Sequence, residues 1–425
     1  LETTNDTNHA KKEGLKAFKG LVADARVPLP YSIMPLDTAI IQRIRSAVRE
    51  DRLLDTAVRL VEVPSPTCDA GAVADRLAEI LRDDGFAVER PEANWPQAPA
   101  VVARLHSARP GRTLQFDGHL DTVHLPFVPP RVADGILTGS GASDMKGGVA
   151  AALEALRALR DSGMLTAGSV LFTAHDHHEG PWGDCRQLYA MIEQGITGDA
   201  VLLPEYLCDR LPIVGRGLSI LEIRVSRPGE TVHEVFRPPG TPDVVGAGAE
   251  LIRRFQRLNA ELAARPHAVA GPGTIFFGKF QAGEIFNQSP TECRIEGTRR
   301  WLPGESTAQV ADQYQSILRS VASETGTAIE SAFDVRRDAF EIDAGSPLVA
   351  AFQSAHQTIT GRPLPIGAKP FVDDGNAFVA RARIPAITHG PNATGAHTLH
   401  ERVPVAELVR VACVYALTAA AFCSG

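Results

Sequence analysis

A chain of 425 residues with 44% hydrophobic content holds enough apolar material for two or three domains. Its formal charge of -7 leaves no basic footprint for nucleic acid or an anionic membrane surface, so the expected partner is a small molecule. Six cysteines (Cys68, Cys185, Cys208, Cys293, Cys413 and Cys423) stand far apart without a C-x-x-C pair. That spacing argues against a disulfide framework and a zinc knuckle and points to buried thiols in a reducing, cytoplasmic setting.

No run is read as the ~20 apolar residues that span a bilayer, and the N-terminal segment is charged where a signal peptide needs its apolar stretch. Residues 1–39 are expected to be an N-terminal extension whose opening Leu1-Glu2-Thr3-Thr4-Asn5-Asp6-Thr7-Asn8 segment is polar and aperiodic. Apolar residues at helical spacing predict helices over 37–61 and 71–84, and short strands follow at 100–104 and 113–116. A helix is expected after Gly148, then strands at 169–174 and 200–203. Polar residues follow both strands, at Asp176-His177-His178-Glu179 and at Glu205, where α/β sheets build their sites.

Near Leu211 the texture changes. A strand at 218–225, a helix at 243–264, strands at 274–280 and 292–297, a helix at 307–324 and a strand at 328–335 predict a four-stranded sheet with two helices on one face. The helix 347–361 and strand 386–389 then resume the first pattern. The expected fold is α/β: a larger catalytic domain with a mixed central sheet (40–210 and 336–425) and an inserted α+β lid or dimerisation domain (211–335).

Chemistry-bearing residues cluster after the strands. His119 and Asp121 are two apart at a strand end, so both can point one way and Asp121 can orient a metal-bound His119. Taken alone, H-x-D is more often a surface loop. The segment Gly139-Ser140-Gly141-Ala142-Ser143-Asp144-Met145-Lys146-Gly147-Gly148 is a glycine-rich turn into a helix, and it lacks the phosphate-loop spacing. Arg300, a surface arginine on the bland reading, has the planar fork that clamps a carboxylate.

In order along the chain, these segments resemble the M20 family of metallohydrolases, from about Leu53 to the C-terminus. The resemblance implies one or two divalent ions per subunit (zinc, manganese or cobalt). It makes His119 and Glu205 ligands of one metal, Asp144 the bridge, and His397, in Gly395-Ala396-His397-Thr398, a ligand of the other. It also implies a homodimer or higher oligomer in which His233 reaches the partner's site, with Asn287 and Arg300 on the substrate-contacting face. Asp374, in Asp373-Asp374-Gly375-Asn376, matches a further motif to which no role is attached.

The departure is at Asp176-His177-His178-Glu179-Gly180, where the family has Asp-Glu-Glu-x-Gly. Aligned without gaps, His177 takes the position of the proton-transferring base and His178 that of a metal ligand beside His397. A shift of one residue, left open here, puts His178 at the base position and Glu179 on the metal. One of His175, His177 and His178 packing against Trp182 is the blander alternative. Loss of the glutamate base suggests a hydrolase of a non-peptide C–N bond in a small carboxylate-bearing substrate, with metal-bound hydroxide as nucleophile. Hydrolytic deamination of an aromatic amine such as 5-nitroanthranilate is the specific form of that expectation. The alternatives are a deacylase or dipeptidase of the M20 type, and a non-catalytic binding module with a damaged site.

Overall fold

The computed structural model describes residues 37–425, so nearly all of the expected extension lies outside the described residues. The mixed central sheet has six strands in the order Val88–Glu89, Val101–His106, Ser169–His175, Thr113–His119, Ala200–Leu203 and Ala386–Thr388. The last four run parallel and the first two are antiparallel additions at one edge. Thr113–His119 and Ser169–His175 are buried almost throughout, as parallel strands covered on both faces must be.

Lys146–Ser162 is a helix of small and leucine side chains buried nearly all round, beside the C-terminal helix Val405–Ser424. Its three buried charges are matched: Lys146 donates to the Val63 carbonyl at 2.8 Å, Glu154 accepts from Arg52 at 2.8 and 2.9 Å, and Arg157 reaches Asp84 at 2.6 Å. Glu154 also takes the Arg49 backbone N–H at 2.8 Å. Arg49 is extended there, and the helix expected over 37–61 is two helices, Thr38–Ala47 and Glu50–Val61. The break is tertiary in origin, because the carboxylate that draws the amide out of the helix is a hundred residues away.

The C-terminal helix corrects a second expectation. Over an 18-residue window its mean hydropathy is 1.7, long and apolar enough to cross a membrane. It is nonetheless a core element: 72% of that window is buried, and it packs on Lys146–Ser162 and Pro347–Thr360. Tyr415 on it donates to the His389 carbonyl at 2.6 Å.

A separate antiparallel sheet has the order Thr274–Ala282, Glu292–Arg300, Leu218–Ser226, Ala328–Arg337. Helices Val244–Ala263 and Thr307–Thr325 cover one face, where Leu221, Ile223, Val225, Phe255 and Tyr314 form a second core. The strand Leu211–Gly215 pairs instead with Phe340–Glu341 and Ile366–Ala368, and Leu211, Ile213 and Val214 sit in the first core. The change of texture read at Leu211 thus enters the second sheet only at Leu218.

Candidate metal centre

The site forms where the parallel strands end. His119 closes one strand and is the register partner of His175, which closes its neighbour. Asp176 to Glu179 follow directly, and Glu205 lies just beyond Leu203. Asp144 is presented by the glycine-rich turn, which Glu401 organises. That carboxylate accepts from the Gly141, Ser143 and Asp144 amides at 3.0–3.1 Å and from Ser143 Oγ at 2.9 Å. Two glycines let Glu205 in: a Cβ on Gly148 would sit 1.8 Å from the Pro204 carbonyl oxygen, and one on Gly390 would sit 1.9 Å from that of Glu205.

Two groups of ligand-type atoms share Asp144. His119 Nε2 faces Asp144 Oδ1 at 3.3 Å and Glu205 Oε1 at 3.5 Å. His397 Nε2 faces Asp144 Oδ2 at 3.3 Å and Glu179 Oε2 at 3.2 Å. His119 Nδ1 donates to the Asp121 backbone carbonyl at 2.9 Å. In neutral His119 the Nε2 lone pair therefore points at carboxylate oxygens, and this buried nitrogen has no hydrogen-bond partner. A lone pair and carboxylates converging on one point suit a cation among them, so the residues fit divalent metal chemistry, with a proton on the imidazole taking that place in the metal-free protein.

In the metal-free protein protons replace the cation. Burial opposes charge on His119, but Asp144 and Glu205 hold its pKa well above the ordinary value. His397 is raised to about 10, first by Asp144 and then by Glu179. Burial and the repulsion of Asp144 push Glu205 up to about 7. Asp144 itself is lowered, because His119 and His397 outweigh its burial.

The divergent loop departs from the ungapped assignment. Asp176 accepts from the Cys68, Ala70 and His177 amides at 2.9, 3.1 and 2.6 Å. That cap holds His177 in the left-handed region (φ 70), and its ring turns away from the cluster. It lies edge-on to Trp95 at 4.3 Å, with Nδ1 3.6 Å from Cys68 Sγ; Trp182 packs on His124 instead. Asp121 does not reach His119 through its carboxylate, which is 3.6 Å away; it accepts the amides of His178 and Glu179 at 3.1 and 2.9 Å. The residue facing His397 is then Glu179, not His178.

His178 stands beside the first group, its Nε2 3.8 Å from Glu205 and its ring stacked on His119 at 3.9 Å and 7°. Its ligand-type atom lies within 4.8 Å of those of His119 and Glu205, so His178 can join that group, although lone pairs in the planes of two stacked rings share one ion poorly. Sequence reasoning attached no role to Asp374, whose Oδ2 is 2.8 Å from His178 Nδ1, and missed Glu401 entirely. The motif containing Asp374 was the one available signal.

A cavity of about 490 Å³ opens on both groups, lined by Asp144, His178, Glu179, Glu205 and His397 on one side. Arg300, Arg336, Arg337, Glu222, Glu296, Tyr206 and Phe371 are among the residues that line the rest, and the last two rings pack at 5.3 Å. Arg299 is spent on Glu305 and the Arg300 carbonyl, whereas Arg300 has no carboxylate partner among the described residues. His233 and Asn287 are brought to each other, at 3.0 Å on an exposed hairpin, and not into this cavity.

Residues 116–421 match the model of peptidase family M20/M25/M40. The chain is 28% identical over 394 residues to a succinyl-diaminopimelate desuccinylase of Gluconacetobacter diazotrophicus, covering 85% of this chain and 95% of that one. It is 25% identical over 403 residues to the N-formyl-4-amino-5-aminomethyl-2-methylpyrimidine deformylase of Bacillus subtilis, covering 85% and 92%. In structure it is similar to the aminopeptidase PepT of Bacillus cereus, with TM-score 0.74, 21% identity and coverage of 88% and 99%. The chain belongs to the M20 family and is a hydrolase of C–N bonds.

Proposed function

We propose that the protein hydrolyses a non-peptide C–N bond in a small, flat, carboxylate-bearing substrate, and that the reaction is a deamination of an aminobenzoate such as 5-nitroanthranilate. One observation carries this reading: a histidine backed by a carboxylate, His178 on Asp374, faces the cavity where the family's base glutamate is expected. His119, Glu205 and Asp144 would hold one divalent cation, and Glu179, His397 and Asp144 a second. When bound, the cations supply Lewis-acid polarisation and a nucleophile at neutral pH.

In this scheme His178 Nε2 takes the proton of the attacking water and returns it toward the leaving nitrogen. The balance is an aromatic C–NH2 and water going to C–OH and ammonia. An activated ring spreads the incoming charge itself, so it leans less on a strong base than an amide does. Arg300 pairs with the substrate carboxylate, while Tyr206 and Phe371 offer ring faces to a flat substrate. His233 and Asn287 would serve the site of a partner subunit in a homodimer.

The names of the relatives favour a second reading, a deacylase acting on N-succinyl or N-formyl groups. Metal-loaded protein offered aminobenzoates, N-acyl amino acids and dipeptides separates the two. Ammonia release from aminobenzoates supports deamination. Turnover of the acyl substrates alone supports the deacylase, and turnover of neither, with binding retained, leaves a binding module.

A further inference from the structure

Behind His178 lies a buried polar cluster that the metal groups do not use. Asp374 is fully buried; its Oδ2 is 2.8 Å from His178 Nδ1 and 3.4 Å from His175 Nε2. Its Oδ1 is 3.4 Å from Arg337 Nη2 and accepts from Cys185 Sγ at 3.5 Å. Asp117 completes the cluster, 3.4 Å from the same His175 Nε2.

A merely structural Asp374 would be the counter-ion of Arg337. The distances point elsewhere, because the short contact goes to His178, and Arg337 also donates to the carbonyls of Arg336 at 2.9 Å and Asp373 at 3.3 Å. A carboxylate can only accept, so Nδ1 of His178 must carry the hydrogen. In neutral His178 Nε2 is then the lone-pair nitrogen, and the ring cannot rotate without breaking a buried hydrogen bond and losing its stack on His119.

We infer that Asp374 is a positioning residue that locks His178 in the Nδ1–H tautomer with Nε2 aimed at the reacting atoms, the device by which this chain uses a histidine where its family uses a glutamate. The inference rests on His178 being the proton acceptor, and the tautomer can be read without any turnover.

The first test is 15N NMR of histidine-labelled, zinc-loaded protein, with His178 assigned from His178→Gln. Wild type should show the Nδ1–H tautomer and Asp374→Asn should shift His178 toward Nε2–H. The second is a double-mutant cycle on whichever substrate class is turned over. Asp374→Asn should lower kcat by about 10²–10⁴-fold, the range a positioned general base contributes. In the His178→Gln background the same change should cost less than about threefold.

An unchanged tautomer in Asp374→Asn, or equal losses in both backgrounds, overturns the inference. If the asparagine variant does not fold, Asp374→Glu decides, since it keeps the charge beside Arg337 and moves the carboxylate by one methylene. It should displace the His178 Nδ1 resonance, and an unmoved resonance counts against the inference. Should no substrate be turned over, the function proposed above fails while the tautomer result stands.

Discussion

Glu179 Oε2 lies 3.2 Å from His397 Nε2, and both sit against the carboxylate of Asp144. This pairing sets the register of the divergent loop. Glu179→Ala should therefore lose about one equivalent of metal by elemental analysis, whereas His178→Ala should retain it. The opposite pattern would restore the ungapped assignment.

His178→Gln tests the same loop through rate. With the cations retained, removing a proton acceptor should lower kcat by about 10²–10⁴-fold. His177→Gln, away from the cluster, should stay within a few-fold of wild type. Steady-state kinetics with parallel metal analysis checks both.

Removing metal should expose a pH dependence of stability. In the metal-free protein His397 titrates near 10, raised by Asp144 and Glu179. Because the folded value lies above the unfolded ~6.5, the stabilisation is complete below that pH and is lost as pH climbs through about 10. Thermal melts of chelator-treated protein should fall across that window, and His397→Ala should flatten the fall. Added zinc should act in the opposite sense, binding more tightly as protons leave its ligands.

Arg300 has no carboxylate partner of its own and faces the cavity. Arg300→Lys, which keeps the charge but loses the planar fork, should raise KM for a carboxylate-bearing substrate about tenfold or more with little change in kcat. An unchanged KM would remove Arg300 from substrate binding.

Gly148→Ala tests the close approach that seats Glu205. The new Cβ would meet the Pro204 carbonyl oxygen at 1.8 Å, so the loop must shift. A cost of about 1–3 kcal/mol by urea unfolding is expected, together with weaker metal binding in a zinc titration.

The helices and strands of both sheets were legible because their apolar spacing follows local geometry, period two or 3.6. The break at Val48 and Arg49 was not, since it depends on the buried carboxylate of Glu154. The C-terminal helix was equally ambiguous. Its apolar surface would suit a bilayer or a core, and only its neighbours choose.

The sequence by itself determined the family resemblance and the residues that converge: the histidines His119 and His397 both lie 3.3 Å from Asp144, and His119 lies 3.5 Å from Glu205. Tertiary structure alone decided how the Asp176–Gly180 loop is threaded. Backbone amides captured by Asp176 and Asp121 turn His177 out and Glu179 in, and Asp374, some two hundred residues on, fixes His178 between them. Motif order is written in one dimension. The direction of each ring and carboxylate is set by the hydrogen bonds that distant segments make with that loop.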